Sequence, residues 1–260
     1  MNLVYLESTI FNKGKIMTSV AKNELKDHLI WKHWDLPYSR HSEEILKIIN
    51  VKEGDKVLDC AIGEGRYAIP MAAQGADVQG VDNSDFIIER LSKKISGKGL
   101  KITVKKQDLR ERLDFDDNVF DISATLGTMV HIDKFEHVCE EFYRITKPGG
   151  RIIVEFTNKW HITSLLEKLY QVIDLKFRSK KFDNRVPIYL RSMSTAKKPF
   201  LDKDCTIKTY GFYPILPNAF PIVGTKLGII QKIPGLSYGL KKLSFLNNFC
   251  QIGILEITKK

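Results

Sequence analysis

Three acidic side chains stand at the ends of three successive apolar segments in the first half of the chain. Asp59 precedes a loop with small residues at positions 61, 63 and 65, and Asp82 and Asp108 each follow a further apolar run. Small residues let the backbone approach a ligand closely, and the next helix begins with free N–H groups. The spacing predicts a nucleoside site, in which Asp82 accepts from the ribose hydroxyls and Asp108 from an adenine amine.

The elements that must position these acids are short strands alternating with helices. Apolar and β-branched runs predict strands, and apolar residues at helical spacing predict the helices between them. The predicted strands are 56–60, 77–81, 101–106, 119–125 and 151–156, and the predicted helices are 66–73, 86–95 and 135–146. This alternation indicates a parallel sheet covered by helices on both faces.

Two further strands are predicted near the end of the chain, at 205–210 and 251–258. The intervening residues are too many for a simple loop and indicate an insertion at 213–248. Helices are also predicted at 21–31 and 42–49, before the first strand. We expect one globular domain, made of an N-terminal covering segment (1–50), a binding core (51–158) and the last strands with their helical cap (159–260).

The joint pattern resembles the class I S-adenosylmethionine-dependent methyltransferases, small-molecule type (methyltransferase domains 11 and 25). It runs from about Leu46 to Phe156 through the loop Asp59-Cys60-Ala61-Ile62-Gly63-Glu64-Gly65, the acids Asp82 and Asp108, Phe120-Asp121, and Lys147-Pro148-Gly149-Gly150. The resemblance implies an α/β, Rossmann-like, doubly wound sheet of seven strands, mostly parallel with an antiparallel last strand. It also implies an enzyme that uses S-adenosylmethionine as its cofactor.

The resemblance carries the cofactor-binding role onto matching residues. In that family the glycine loop holds the methionine part of the cofactor, the acid after the second strand binds ribose, and the acid after the third binds adenine. We predict the cofactor-binding set Asp59, Ala61, Gly63, Gly65, Asp82, Asn83, Gln107, Asp108, Leu109, Thr125 and Arg40. Ala61 departs from the glycine usual at its position. A nicotinamide dehydrogenase is the nearest rival, but the Asp59 opening and Asp108 have no role there.

The acceptor side is less defined by the sequence. Methyltransferases that act on adenine or on a glutamine amide nitrogen resemble one another in an Asn/Asp-Pro-Pro-Tyr/Phe pattern at this place. The segment 124–131 lacks that pattern, which disfavours those substrates. His131 is the best-placed candidate base, with a packing role as the alternative. Tyr38 is the second candidate catalytic residue, because its ring could cover the sulfonium by a cation–π contact, while Arg40 could pair with the cofactor carboxylate. Two tryptophans beside them could equally pack a helix onto the core.

The net positive charge of the chain comes from residues 155–260. The formal net charge of +10 splits into −1 for residues 1–154 and +11 for residues 155–260. Residues 205–255 contain five lysines and no acid. This stretch predicts either a cap over the acceptor pocket or peripheral contact with an anionic membrane. We expect a small-molecule acceptor, with lipid-like molecules included. An RNA methyltransferase and a non-catalytic S-adenosylmethionine-binding protein stay open as alternatives, although sparse arginine makes nucleic acid a poor partner.

The remaining composition favours a reducing compartment. The four cysteines show neither a disulfide framework nor metal-ligand spacing, so we expect no metal. Neither a signal peptide nor a membrane span is recognisable, which predicts a cytoplasmic protein, with membrane contact at most peripheral. Lys13-Gly14-Lys15-Ile16 before Met17 could encode a ribosome-binding sequence, so Met17 is an alternative start to Met1.

Overall fold

The computed structural model describes residues 41–161, 164, 187–212 and 244–260. Helix α1 covers residues 41–49 in the described part. The strands are β1 (Lys56–Cys60), β2 (Asp77–Asp82), β3 (Ile102–Lys106), β4 (Phe120–Thr125), β5 (Thr146–Thr157), β6 (Cys205–Phe212) and β7 (Ile252–Lys259). The other helices are α2 (Ala68–Ala73), α3 (Asp85–Ile95), α4 (Phe135–Ile145) and α5 (Met193–Lys197). Short 3₁₀ turns lie at Met129–His131, Lys198–Phe200 and Ser244–Phe249.

The seven strands form one sheet in the order β3-β2-β1-β4-β5-β7-β6. Strands β1 to β5 pair in parallel, and β7 pairs antiparallel with both β5 and β6. The order reverses direction between β1 and β4, which opens a crevice at the carboxyl ends of these strands. The Rossmann-like sheet with an antiparallel last strand is therefore confirmed.

One face of the sheet packs mainly against α4. Every third or fourth residue of this helix is apolar and buried, which gives it a continuous apolar stripe. Phe135, Val138, Phe142 and Ile145 of the stripe lie against strand residues such as Phe120. Helix α5 adds Met193 and Ala196 to the same cluster. Because strand side chains alternate, these contacts use one set of positions and leave the other set for the opposite face.

The opposite face packs against α1, α2 and α3, with Ile45, Met71 and Leu91 as one buried contact from each helix. Helix α1 is also fixed by a charge, since the guanidinium of Arg151 on β5 donates to the carbonyls of Ile48, Ile49 and Asn50. These carbonyls belong to the last turn of α1 and its C-terminal end, where a cation is stabilised by unpaired acceptors.

The main differences from the predicted bounds lie at the ends of elements. Helix α2 begins two residues later than predicted, and β5 begins at Thr146 rather than Arg151. The segment Lys147-Pro148-Gly149-Gly150 does end α4, but its backbone already runs along the sheet. Residues 213–243 of the predicted cap and the predicted helix at 21–31 lie outside the described residues. Within the described ranges, no helix is long and apolar enough to cross a bilayer.

We predict that Gly80→Ala destabilises the fold by about 1–3 kcal/mol, because an added Cβ would lie 2.1 Å from Ile62 Cδ1. Urea unfolding of the two proteins measures the difference. Ile62→Val removes that Cδ1 atom, so the double variant should lose less stability than the sum of the two single changes. If the losses of stability of the two single variants simply added, contact with Ile62 would not be the cause of the loss in Gly80→Ala.

Candidate active site

The loop after β1 turns sharply at three positions with positive φ: Ala61 at 58°, Gly63 at 53° and Gly65 at 75°. Its backbone is bonded to β2, since the N–H of Ile62 donates to the carbonyl of Val81 at 3.0 Å. A Cβ on Gly65 would lie 2.8 Å from a methyl of Leu91, so this position has no room for a side chain. The loop is thus held close to the end of β2.

Asp59 lies at the base of this loop and is buried, with 3% of its surface exposed. The pKa of its carboxyl is raised to about 7, chiefly by burial and also by the charge of Asp82, while a backbone N–H of Ala68 opposes the shift. Asp59 therefore joins β1 to the start of α2. It is also a titratable group near neutral pH inside the crevice.

Asp82 ends β2 and is bonded to the loop after β1. Its Oδ2 accepts from the N–H of Gly63 at 3.2 Å, and its Oδ1 accepts from the N–H of Ser84 at 3.0 Å. Burial raises the pKa of Asp82, and the N–H groups of Ser84, Gly63 and Asn83 counteract the shift. A carboxylate has about four lone-pair directions, so acceptor capacity for a ribose hydroxyl is left beside these backbone donors.

The carboxylate of Asp108, after β3, was expected to accept from an adenine amine, but it is already paired within the protein. Asp108 forms a two-pronged ion pair with Arg110, through Nε–Oδ1 at 2.9 Å and Nη2–Oδ2 at 2.5 Å. This guanidinium lowers the pKa of Asp108. Gln107 accepts from the N–H of Asp114 at 2.9 Å, and Leu109 is buried in the core. An adenine amine would share Asp108 with Arg110 rather than meet a free carboxylate.

The segment after β4 carries the candidate base. His131 ends the 3₁₀ turn, and its ring bonds with the carbonyl of Pro187, so a ring N–H is the donor. Its Nδ1 is buried and has no hydrogen-bond partner in the described part of the chain. Burial lowers the pKa of His131, so the neutral ring is favoured. Thr125, the last residue of β4, is buried with an unpaired hydroxyl among the described residues.

The sequence analysis missed the segment that holds this turn, residues 187–191. The buried guanidinium of Arg191 donates to the carbonyls of Met129 at 2.9 Å and Ile132 at 2.6 Å, and it lies 4.4 Å from the ring centroid of Phe135. The N–H of Tyr189 donates to the carbonyl of Val130 at 2.7 Å. A lone arginine after the apolar run Ile188-Tyr189-Leu190 was the available signal.

A second group that the sequence analysis missed lies at the end of β5. Glu155 is buried, and its Oε2 lies 3.8 Å from Nε2 of His41, at the start of the described part of α1. The ring of His41 meets Phe212 edge-on, with 4.9 Å between centroids. An acid inside the apolar run Ile152-Ile153-Val154-Glu155-Phe156 was the signal in the sequence.

The structure brings together most of the predicted residues at one edge of the sheet. Those from Asp59 to Thr125 follow the carboxyl ends of β1 to β4, and His131 lies in the turn after β4. Tyr38 and Arg40 lie outside the described residues. Within the described ranges, no group of three or more histidine, cysteine, aspartate or glutamate side chains could hold a metal ion.

The fold and the family comparison agree on the class of protein. The family described as "Methyltransferase domain" matches residues 57–150, which span β1 to the start of β5. The core of this chain is therefore similar to methyltransferase domains, in agreement with the resemblance to class I S-adenosylmethionine-dependent methyltransferases. Solved structures of low identity share the fold: magnesium protoporphyrin IX methyltransferase from Synechocystis, with bound SAH, has a TM-score of 0.63 and 17% identity, covering 98% of this chain and 99% of its own.

Curated relatives share the core and differ in how much of them the chain covers. A sterol 24-C-methyltransferase from Yarrowia lipolytica is 34% identical over 115 residues, 43% of this chain and 30% of the relative. The chain thus spans about a third of the length of the sterol enzymes it matches. The ubiquinone/menaquinone biosynthesis C-methyltransferase UbiE from Zymomonas mobilis is 27% identical over 209 residues, 78% of this chain and 80% of the relative.

We predict that Ala61→Gly stabilises the protein by about 0.5–1 kcal/mol, because the left-handed backbone at Ala61 strains any residue with a Cβ. Urea unfolding gives the change. The control is Ala73→Gly, at the exposed last position of α2, which should destabilise the protein by a similar amount through lost helix propensity. Equal losses from both changes would contradict strain at Ala61.

Proposed function

We propose that this protein transfers the methyl group of S-adenosylmethionine to a small, lipid-like acceptor. The observation that carries the proposal is the hydrogen bond from the N–H of Gly63 to Asp82, which joins the glycine loop to the acid expected to bind ribose. The methyltransferase family match over residues 57–150 supports the cofactor, and the named sterol and quinone relatives support an apolar acceptor.

The cofactor would lie along the edge formed by β1, β2 and β3. In this proposal the loop residues Ala61, Gly63 and Gly65 face the methionine part, as Asp59 supports the loop from below. Asp82 with Asn83 takes the ribose, and Asp108, between Gln107 and Leu109, takes the adenine. Thr125 then borders the reacting methyl, and Arg40 remains the predicted partner of the cofactor carboxylate.

The reaction is an in-line displacement at the methyl carbon. The carbon–sulfur bond breaks and its electron pair returns to sulfur, while the acceptor forms the new bond to carbon and loses a proton. Alignment of the two reactants can supply roughly 7–11 kcal/mol of the barrier reduction. A base is needed only where the acceptor must lose its proton early, and we propose that Nδ1 of His131 takes it. Tyr38 remains the predicted cover of the sulfonium.

Cofactor binding tests the first half of the proposal. Asp82→Asn should weaken S-adenosylmethionine binding by at least tenfold, because the negative charge and one of the two acceptor oxygens are lost. Isothermal titration calorimetry measures both affinities, with Asp77→Asn at the other end of β2 as the matched control. NADH is titrated in parallel. Tight NADH binding without S-adenosylmethionine binding would reverse the assignment in favour of a dehydrogenase.

Turnover tests the second half. Release of S-adenosylhomocysteine is followed with reduced demethylmenaquinone, a sterol unmethylated at C24, a small amine and a transfer RNA. We expect release with an apolar acceptor and none with the RNA. Cofactor binding without release from any of the four would favour a binding protein, and release with RNA would favour the RNA methyltransferase.

The proposed role of His131 as a base can be tested through the pH dependence of turnover. Burial lowers its pKa below the ordinary 6.5, so turnover should hold down to that pH and fall below it as the ring becomes protonated. His131→Gln should slow turnover by about 10² or more and abolish this acidic limb. The pH dependence of kcat/KM measures both effects. Wild-type turnover by His131→Gln would leave the histidine a packing role.

Contact with an anionic membrane is a further part of the proposal. Its support is the sequence of residues 205–255, which has five lysines and no acid, together with apolar residues at helical spacing. Flotation with vesicles of neutral and of anionic lipid, at low and high salt, tests this idea. Binding only to anionic vesicles at low salt is expected, and no flotation at low salt would rule it out.

A further inference from the structure

Glu155 is unlike the other two buried glutamates among the described residues. Glu141 pairs with Arg144 at 2.7 Å, and Glu256 accepts from Tyr210 at 2.6 Å and lies 3.4 Å from Arg151. Glu155 is 8% exposed, and its Oε2 has no hydrogen-bond partner in the described part of the chain. The separation of 3.8 Å from His41 exceeds hydrogen-bond length.

The strand register places Glu155 at the edge of the crevice. Val154 is paired with Thr125, the last residue of β4, so Glu155 stands just beyond the level at which β4 ends. Its side chain lies on the same face as Ile153, which is in register with Ala124 and, through it, with Asp59. Glu155 therefore shares its face of the sheet with Asp59.

Tyr67 links the two acids electrostatically. Burial raises the pKa of its hydroxyl, and the charges of Glu155 and Asp59 both raise it further. Tyr67 precedes α2, directly after the glycine loop. Glu155 thus lies near Tyr67, but on the far side of β4 from β2 and β3, which position Asp82 and Asp108.

A buried carboxylate oxygen without a donor destabilises a fold, so its presence calls for a ligand that supplies the donor. Apolar side chains stand beside it on this face, with Phe212 against the ring of His41 and Ile254 in register with Glu155. An ammonium group would bring three donors and a large desolvation cost, whereas a hydroxyl brings one donor and a small cost. One open acceptor atom matches one hydroxyl.

We infer that Glu155 binds a hydroxyl group of the methyl acceptor and so determines which acceptor atom faces the methyl group. The inference rests on the proposed methyl transfer, because it assigns the acceptor side of the same site. Glu155 is here a specificity-determining residue. The chemical class of ligand is a hydroxylated, otherwise apolar molecule such as a phenol, a quinol or a sterol.

Stability gives a test that needs no acceptor. Glu155→Met removes a carboxylate that lacks a donor, so its Tm should equal or exceed that of the wild type. The matched control, Glu256→Met, is a buried glutamate on the same face that does have partners. It removes the acceptor of the Tyr210 hydroxyl and the acid beside Arg151, and its Tm should fall by roughly 5 °C or more. Equal losses of Tm would mean that Glu155 is held by the fold, which overturns the inference.

Binding of two simple probes gives the second test. Calorimetry compares 1-naphthol with 1-methoxynaphthalene, which lacks the hydroxyl donor, with and without S-adenosylhomocysteine. The wild type should prefer naphthol by about tenfold or more, Glu155→Gln should show a smaller preference because it keeps an acceptor oxygen, and Glu155→Met should show none. Glu256→Met should retain the wild-type preference.

Either of two results overturns the inference: a wild type without preference for naphthol, including one that binds neither probe, or a preference that survives in Glu155→Met. Failure of the proposed function looks different, since it appears as absent S-adenosylmethionine binding or absent release of S-adenosylhomocysteine. A protein that binds the cofactor and methylates an acceptor, yet treats both probes alike, would retain its function and lose this assignment of Glu155.

Discussion

The parallel register of β1 with β2 and β4 is the constraint on which the whole site depends. It brings the carboxyl ends of successive strands to one edge, so Asp59, Asp82 and Thr125 meet although they are far apart in the sequence. The register needs both faces of the sheet to be buried, which is why α4 covers one face and α1 to α3 cover the other. Because the strands fix the ends of the connecting loops, a loop can hold a strained backbone conformation, such as the positive φ of Ala61.

Two buried ionisable side chains differ in how far their polar atoms are paired. Arg191 satisfies carbonyls of the turn that carries His131, so the position of the histidine depends on a residue sixty positions away. Glu155 is the reverse case, a buried carboxyl group with one oxygen that has no hydrogen-bond partner among the described residues. A fully satisfied polar group stiffens its surroundings, while an open one weakens the fold and is available to a ligand. The two residues therefore make different contributions to one crevice.

Sequence reasoning was most successful where local pattern and tertiary structure coincide. The strand runs, the glycine loop and Asp82 follow from hydrophobic alternation and from the backbone that only small residues permit. Asp108 was placed correctly after β3, but its pairing with Arg110 was missed, because the guanidinium could equally have pointed to solvent. Glu155 and Arg191 were missed for a related reason: the meaning of a buried charge depends on distant partners, and spacing along the chain does not reveal them.

Arg151 gives α1 a fixed end. The guanidinium donates hydrogen bonds to the last carbonyls of the helix and lies beside Glu256. This end of α1 is therefore attached to β5 and β7. The other end of the described helix begins with His41, next to Glu155 on the same strand β5. Both ends of the described helix α1 thus contact β5, so the length of the helix is matched to the spacing between Arg151 and Glu155 on that strand.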